Sequence, residues 1–340
     1  MSRRRRIPAN SLLFSLGTAL LVWVLVLSVA GISRFLQVLA EHWPVALTMV
    51  FGSFIAGATS EGGGAVAFPV FTKLLGVAAQ DAKIFSLAIQ SVGMTAASLT
   101  IIAMRIQVEW RVVRWVSAGG LLGIVVGAAL LAPLMSSVML KMTFTMLVTS
   151  FAFTLYLLNR RLPLRRQAVP SQAVGSAGVL FAAGLVGGMV SGLVGNGIDI
   201  VAFSVMVLLF RVNEKIATPT SVVLMAINAV AGFALHYFVV GGFNAQVAAF
   251  WLASIPVVVI GAPFGAIVCA MLNRQTIARV LIGLIVVEFV SSVLILPLDM
   301  SAAITSIAIF FGFLSVYLLM YKYSPYAPAV TGKTSANESY

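Results

Sequence analysis

The chain has 340 residues, a mean hydropathy of +1.09 and only 9% charged residues, which excludes a water-soluble domain and points to a polytopic membrane protein. The net charge of +12 would suggest nucleic acid in a soluble protein. Here the basic residues cluster in short gaps between apolar runs, so bilayer topology explains them and no nucleic-acid partner is expected.

In chain order, the N-terminal SRRRR precedes an apolar run over 12–32 that ends in Ser33, Arg34 and Phe35 without a small-residue cleavage site. It reads as a retained first span. Further clear runs cover 84–104, 115–134, 138–158, 217–240, 246–271, 277–297 and 301–321, giving eight full spans. Two regions, 43–75 and 174–210, are apolar but interrupted by glycine clusters. If 43–75 crossed once, the MRIQVEWRVVR loop and the NRRLPLRR linker would lie opposite SRRRR, against the positive-inside bias. If both regions enter and return as helical hairpins, all but Arg34, Lys73, Lys83 and Lys141 of the 21 Lys and Arg residues share one side. That side is then cytoplasmic and holds both termini, in the cell inner membrane.

The chain also repeats. A shift of 135 residues aligns GSFIAGATSEGGGAVAF with GGMVSGLVGNGIDIVAF without a gap, setting Gly57 on Gly192, Glu61 on Asn196, Gly64 on Asp199 and Phe68 on Phe203. Ser86 meets Ser221 and Gln90 meets Met225, and Gly123 and Gly127 match Gly261 and Gly265 after a further shift of three. By the charge count the two hairpins open from opposite sides. The expected fold is thus an all-α polytopic membrane protein with two inverted-topology repeats, each with a glycine-broken re-entrant helical hairpin, plus extra terminal spans. The organisation reads as 1–42, basic segment and extra span; 43–158, first repeat; 159–173, Arg-rich linker; 174–298, second repeat; 299–322, extra span; and 323–340, cytoplasmic tail.

SEGGGAVAFP, the MRIQVEW turn around Arg105 and Trp110, and ATPTSVVLMAINAVAG from Ala217 together resemble the TauE/SafE family of sulfite and organosulfonate exporters, over about 45–298. The second motif departs from the family pattern, with Asp199 in place of a glycine and Ser204 in place of a proline. The resemblance implies a transporter for a small sulfur-containing anion.

A helix that starts in mid-membrane leaves backbone N–H groups unpaired, with the positive end of its dipole facing the gap. A sulfite, sulfonate or carboxylate suits such a gap. Ser60, Gly62, Gly63 and Gly64 at the first break, and Gly195, Asn196 and Gly197 at the second, are therefore candidate substrate ligands. Scattered glycines such as Gly119, Gly123 and Gly127 read instead as helix-packing contacts. Ser221, Met225, Asn228 and Gly232 form one stripe at helical spacing, matched by Ser86, Gln90, Gly93 and Ala97. Two such faces would line one central site, so Ser86, Gln90, Ser221 and Asn228 are added; hydrogen bonding between helices is the competing role. Thr218 before Pro219 reads as a helix cap.

Acidic groups inside a bilayer are costly. Glu61 and Asp199 are candidates for carrying a coupling proton, with pairing of Glu61 to Lys73 and capping by Asp199 as alternatives; Glu288 reads as a hydrogen-bonded packing residue. His236 has no metal-ligand partners at readable spacing, and Cys269 as the single cysteine excludes a disulfide. No cofactor or metal is expected. Lys83 reads as a guide for anions or as snorkelling to the interface, and Trp110, Trp115 and Trp251 as interfacial. The partners expected are a small anion, the lipid bilayer and a proton, with oligomeric state left open. The rival functions are a passive anion channel and, with less support, an intramembrane enzyme using Ser60 with Glu61 or Asp199.

Overall fold

The computed structural model describes residues 9–60, 70–159, 166–169, 175–296 and 299–324. They are helical nearly throughout, and nine segments among them are long and apolar enough to cross a bilayer. Eight match the runs read from the sequence. The ninth, Ser176–Val194, lies in the region read as the second hairpin and is itself of spanning length.

The helices are α1 (Ala9–Ala30), α2 (Ile32–Glu41), α3 (Trp43–Ala58), α4 (Ala79–Ala103), α5 (Trp110–Val125), α6 (Ser137–Asn159), α7 (Ser176–Val194), α8 (Ile198–Ser204), α9 (Glu214–Leu235), α10 (Ala245–Met271), α11 (Arg274–Ile295) and α12 (Met300–Lys322). Their boundaries keep the 135-residue spacing. The π-turns Val70–Leu74 and Val205–Leu209, the starts Ala79 and Glu214, and the starts Trp110 and Ala245 all stand 135 apart. Only α2 has no counterpart in the sequence reading. It bends 85° from α3 and buries nothing, with Arg34, Gln37 and Glu41 on one face and Ile32, Leu36 and Leu39 on the other, the pattern of a membrane-surface helix.

The repeats interlace. The first helix of each packs on the third helix of the other: α3 on α10, and α7 on α5. Glycine makes both seams. A Cβ on Gly57 would strike the Ala262 carbonyl, and one on Gly265 the Phe54 carbonyl. At the other seam a Cβ on Gly119, Gly123 or Gly127 would strike the carbonyls of Phe181, Leu185 and Met189, and Gly184, Gly188 and Gly192 meet the α5 backbone in return. With no aqueous driving force between helices, such close backbone approach and its dispersion contacts hold the pair together. The packing role read for Gly119, Gly123 and Gly127 is thus what the structure shows.

Helices α4 and α9 pack together in the middle, and aromatic cores flank them. Phe71 stacks on Phe85 at 4.7 Å on one side, and Phe151 meets Phe203 edge-on at 5.7 Å on the other. Trp251 donates to the Ala88 carbonyl at 2.9 Å within the first of these, so it is a packing residue and not an interfacial one. Trp110 and Trp115 are exposed on the helix surface.

One end of the bundle is tied by polar contacts. Arg166, in the linker between repeats, pairs through its backbone with Arg211 and Asn213 at 2.7 and 2.9 Å. The next residues bind the first repeat: Gln107 Nε2 donates to the Gln167 carbonyl at 2.8 Å, and Val169 N donates to Glu109 Oε2 at 3.1 Å. Glu214 and Arg274 join the starts of α9 and α11 at 2.8 Å. Arg211, at φ +58, donates to the Tyr321 carbonyl at 2.9 Å and lies over that ring at 3.5 Å, anchoring α12.

The sequence reading misplaces the start of α9. Asn213 is the cap, accepting from Lys215 N at 3.0 Å, and Thr218 and Pro219 lie inside the helix. Pro219 removes the donor that the Lys215 carbonyl would otherwise meet.

Candidate functional site

The second hairpin breaks between α7 and α8 at Gly195 (φ +85) and Gly197 (φ +150), backbone conformations that favour glycine. The break presses against α4, where a Cβ on Gly195 would meet the Lys83 carbonyl. Lys83, Ser86 and Gln90 stand at successive turns of α4 and face it. Lys83 Nζ donates to the Gly192 carbonyl at 3.5 Å, and Ser86 Oγ and Gln90 Nε2 donate to the Gly195 carbonyl at 3.3 and 3.4 Å. Gln90 Nε2 also reaches Ser86 Oγ. Lys83 is buried and bonded to the hairpin, so it does not snorkel.

The backbone here works differently from the expected N–H cradle. Gly195 N already donates to the Ser191 carbonyl at 2.8 Å, and Ile198 N to Ser191 Oγ at 3.0 Å. Gly195 turns its carbonyl to α4, so part of the backbone at this break is already engaged within the protein.

A narrow cavity opens beside the break. Its polar lining is Ser53, Ser86, Gln90, Asn196, Lys141 and Glu288; Phe71, Phe85, Phe144 and Val258 are among its apolar walls. An apolar pocket with a few convergent polar groups is the usual form of a small-molecule site. It lies nearest the helix ends at Ala79, Ser137 and Ala245, opposite the tied end.

Two cavity residues escaped the sequence reading. Lys141 on α6 was left over by the charge count, and Glu288 on α11 read as packing; both are buried, at 3% and 2% exposure. Thr145 Oγ1 and Ser292 Oγ donate to Glu288 Oε1 at 3.3 and 3.2 Å, joining α6 and α11 by a polar contact within the bilayer. Opposite charges placed on two apolar spans were the available clue, but using it needs the pairing of α6 with α11, which no motif spacing supplies.

The other predicted residues scatter. Ser60 is buried at the end of α3, its hydroxyl without a hydrogen-bond partner among the described residues. Glu61, Gly62, Gly63 and Gly64 lie outside the described residues. Asp199 is buried in the first turn of α8. Its carboxylate faces the backbone N–H groups of Gly197, Asp199 and Ile200 without reaching hydrogen-bonding geometry, away from the cavity. Ser221 Oγ donates to the Thr218 carbonyl at 2.8 Å, and Asn228 is buried against Gly120. Of the two matched stripes, therefore, only the α4 stripe lines the cavity, while Met225 of α9 packs among Met94, Ala97 and Ile101. His236 is buried, with Nδ1 3.2 Å from the Gly241 carbonyl, and Cys269 is a buried free thiol.

Residues 45–292, well over half of the chain, match the family model for the sulfite exporter TauE/SafE. The chain belongs to the TauE/SafE family. No curated protein and no solved structure matches it. This TauE/SafE chain is a multi-pass membrane protein of a family that transports sulfite and related anions, and its match spans both copies of the repeat.

Proposed function

We propose that the protein is a secondary transporter that moves a small sulfur-containing anion, such as sulfite or sulfoacetate, by alternating access between inverted repeats. The observation that carries this reading is the cavity at the hairpin break, where Gln90, Ser86 and Asn196 bring neutral polar side chains from both repeats to one place. Broken helices and a site between repeats are the general form of secondary transporters. Closure of the opposite end by the linker contacts favours a carrier over an open channel. With the Arg-rich end placed in the cytoplasm, together with both termini, the cavity faces the outside of the inner membrane. Glu61 and the buried Asp199 are the proposed sites of a coupling proton.

The test is uptake and efflux of labelled sulfite and sulfoacetate in proteoliposomes, with and without a pH gradient. Saturable flux with counterflow is expected. Linear, unsaturable flux would mark a channel, and flux indifferent to the gradient would remove the coupling proton.

A further inference from the structure

Lys141 and Glu288 occupy a place that the hairpin reading does not use. Both line the cavity and both are buried within the bilayer. An ionised side chain there needs compensation, and such residues face bundle interiors where they act on ions or substrates. Thr145 stands one helical turn from Lys141 on the same face of α6, and its hydroxyl touches Glu288 Oε1 at 3.3 Å. Lys141, with a four-carbon stem and a mobile ammonium, and the Glu288 carboxylate therefore face one cavity from α6 and α11.

We propose that Lys141 is the cationic ligand of the transported anion and that Glu288 is its resident counter-charge, which the anion displaces. This rests on the reading of the cavity as an anion site. Three features support it. Lys141 is the one cation among the described lining residues, so it is the positive charge they offer an anion. Glu288 keeps the Thr145 and Ser292 hydroxyls when the ammonium turns to substrate, so displacement does not strand its charge. Asn196 then supplies an amide group to a remaining oxygen of an oxyanion. Lys141 has no buried counterpart in the second repeat: the residue 138 after it is Arg279, which is exposed. The arrangement gives one anion site per chain, placed off the centre of the repeat pair.

The experiment uses the full-length protein in proteoliposomes and measures the KM for labelled sulfite in wild type, Lys141→Gln, Lys141→Arg, Glu288→Gln and the double variant Lys141→Gln/Glu288→Gln. Lys141→Gln is expected to raise KM about tenfold and Lys141→Arg to stay within roughly threefold of wild type. Glu288→Gln is expected to lower KM and slow turnover, because the anion no longer competes with a carboxylate and leaves less readily. The double variant should resemble Lys141→Gln. An unchanged KM in Lys141→Gln, or a raised KM in Glu288→Gln, overturns the proposal. So does the pattern of a purely structural ion pair, in which each single variant loses folded protein, the double variant regains it and KM does not move. If Lys141→Gln fails to fold, the direction of the Glu288→Gln shift decides alone. Wild-type protein without saturable sulfite or sulfoacetate flux would instead overturn the anion-transport reading itself, and this assignment with it.

Discussion

The two glycine seams stand at corresponding places in the repeats but are closed differently. Along α5 and α7, six glycines (119, 123, 127, 184, 188 and 192) set backbone against backbone over the length of the contact. Along α3 and α10, Gly57 and Gly265 do the same, but at Gly261 the opposing atom is the Ser53 hydroxyl. That seam also borders the cavity through Met49, Ser53 and Ala56, whereas α7 offers it only Val194. Two backbones in contact have no side chain that can yield, so the α5–α7 pair behaves as one body. The α3–α10 pair has a side chain between its helices and a hole beside it, which places movement on that side.

The sharpest way to break this comparison is at its tightest point. Gly188→Leu would drive a side chain into the Gly120 backbone and is expected to cost more than about 3 kcal/mol, leaving little monodisperse protein on size-exclusion chromatography. Gly261→Ala should cost about 1–3 kcal/mol, and adding Ser53→Ala should recover most of it by removing the hydroxyl. Equal tolerance at the two seams would end the distinction.

The contrast between repeats extends to the central helices. Gln90→Ala is expected to raise the KM for sulfite by about three- to tenfold, whereas Ser221→Ala, whose hydroxyl bonds within its own helix, should leave it unchanged. A matching loss in Ser221→Ala would restore a symmetric two-faced site. A smaller effect concerns the tied end, where Cys269 lines a small pocket with Ile106, Lys215 and Thr218. Glu109→Ala releases Val169 N and should raise alkylation of Cys269 by roughly two- to fivefold, since local opening there becomes cheaper. The least expected effect is that of Arg211→Ala, a loss of about 1 kcal/mol from the contact with Tyr321, read as a modest drop in melting temperature with flux retained.

Much of the fold was legible because a bilayer restricts the alternatives. Hydropathy located the spans, and the 135-residue offset read from GATSEGGG and GLVGNGID reappears in the helix starts and π-turns. The site was legible only in part. Ser86 and Gln90 were found because they share a helical stripe aimed at the second break. The symmetry that located them also misled, adding Ser221 and Asn228, whose helix turns the same positions toward its neighbours. The place of Lys141 and Glu288 in one cavity could not be read, since it depends on how α6 lies against α11. Thr218 was misread because a proline after a threonine marks a helix start only when nothing earlier caps the chain, and Asn213 does so five residues before.

The crossed pairing of first and third helices has a consequence for how the molecule folds. Neither half owns both sides of a seam: α3 finds its surface on α10, and α7 finds its surface on α5. During synthesis the first half leaves the ribosome with α3 and α5 still unmatched, and the native seams close only when the second half arrives. Two separately expressed halves should accordingly be unstable alone and reassemble only together.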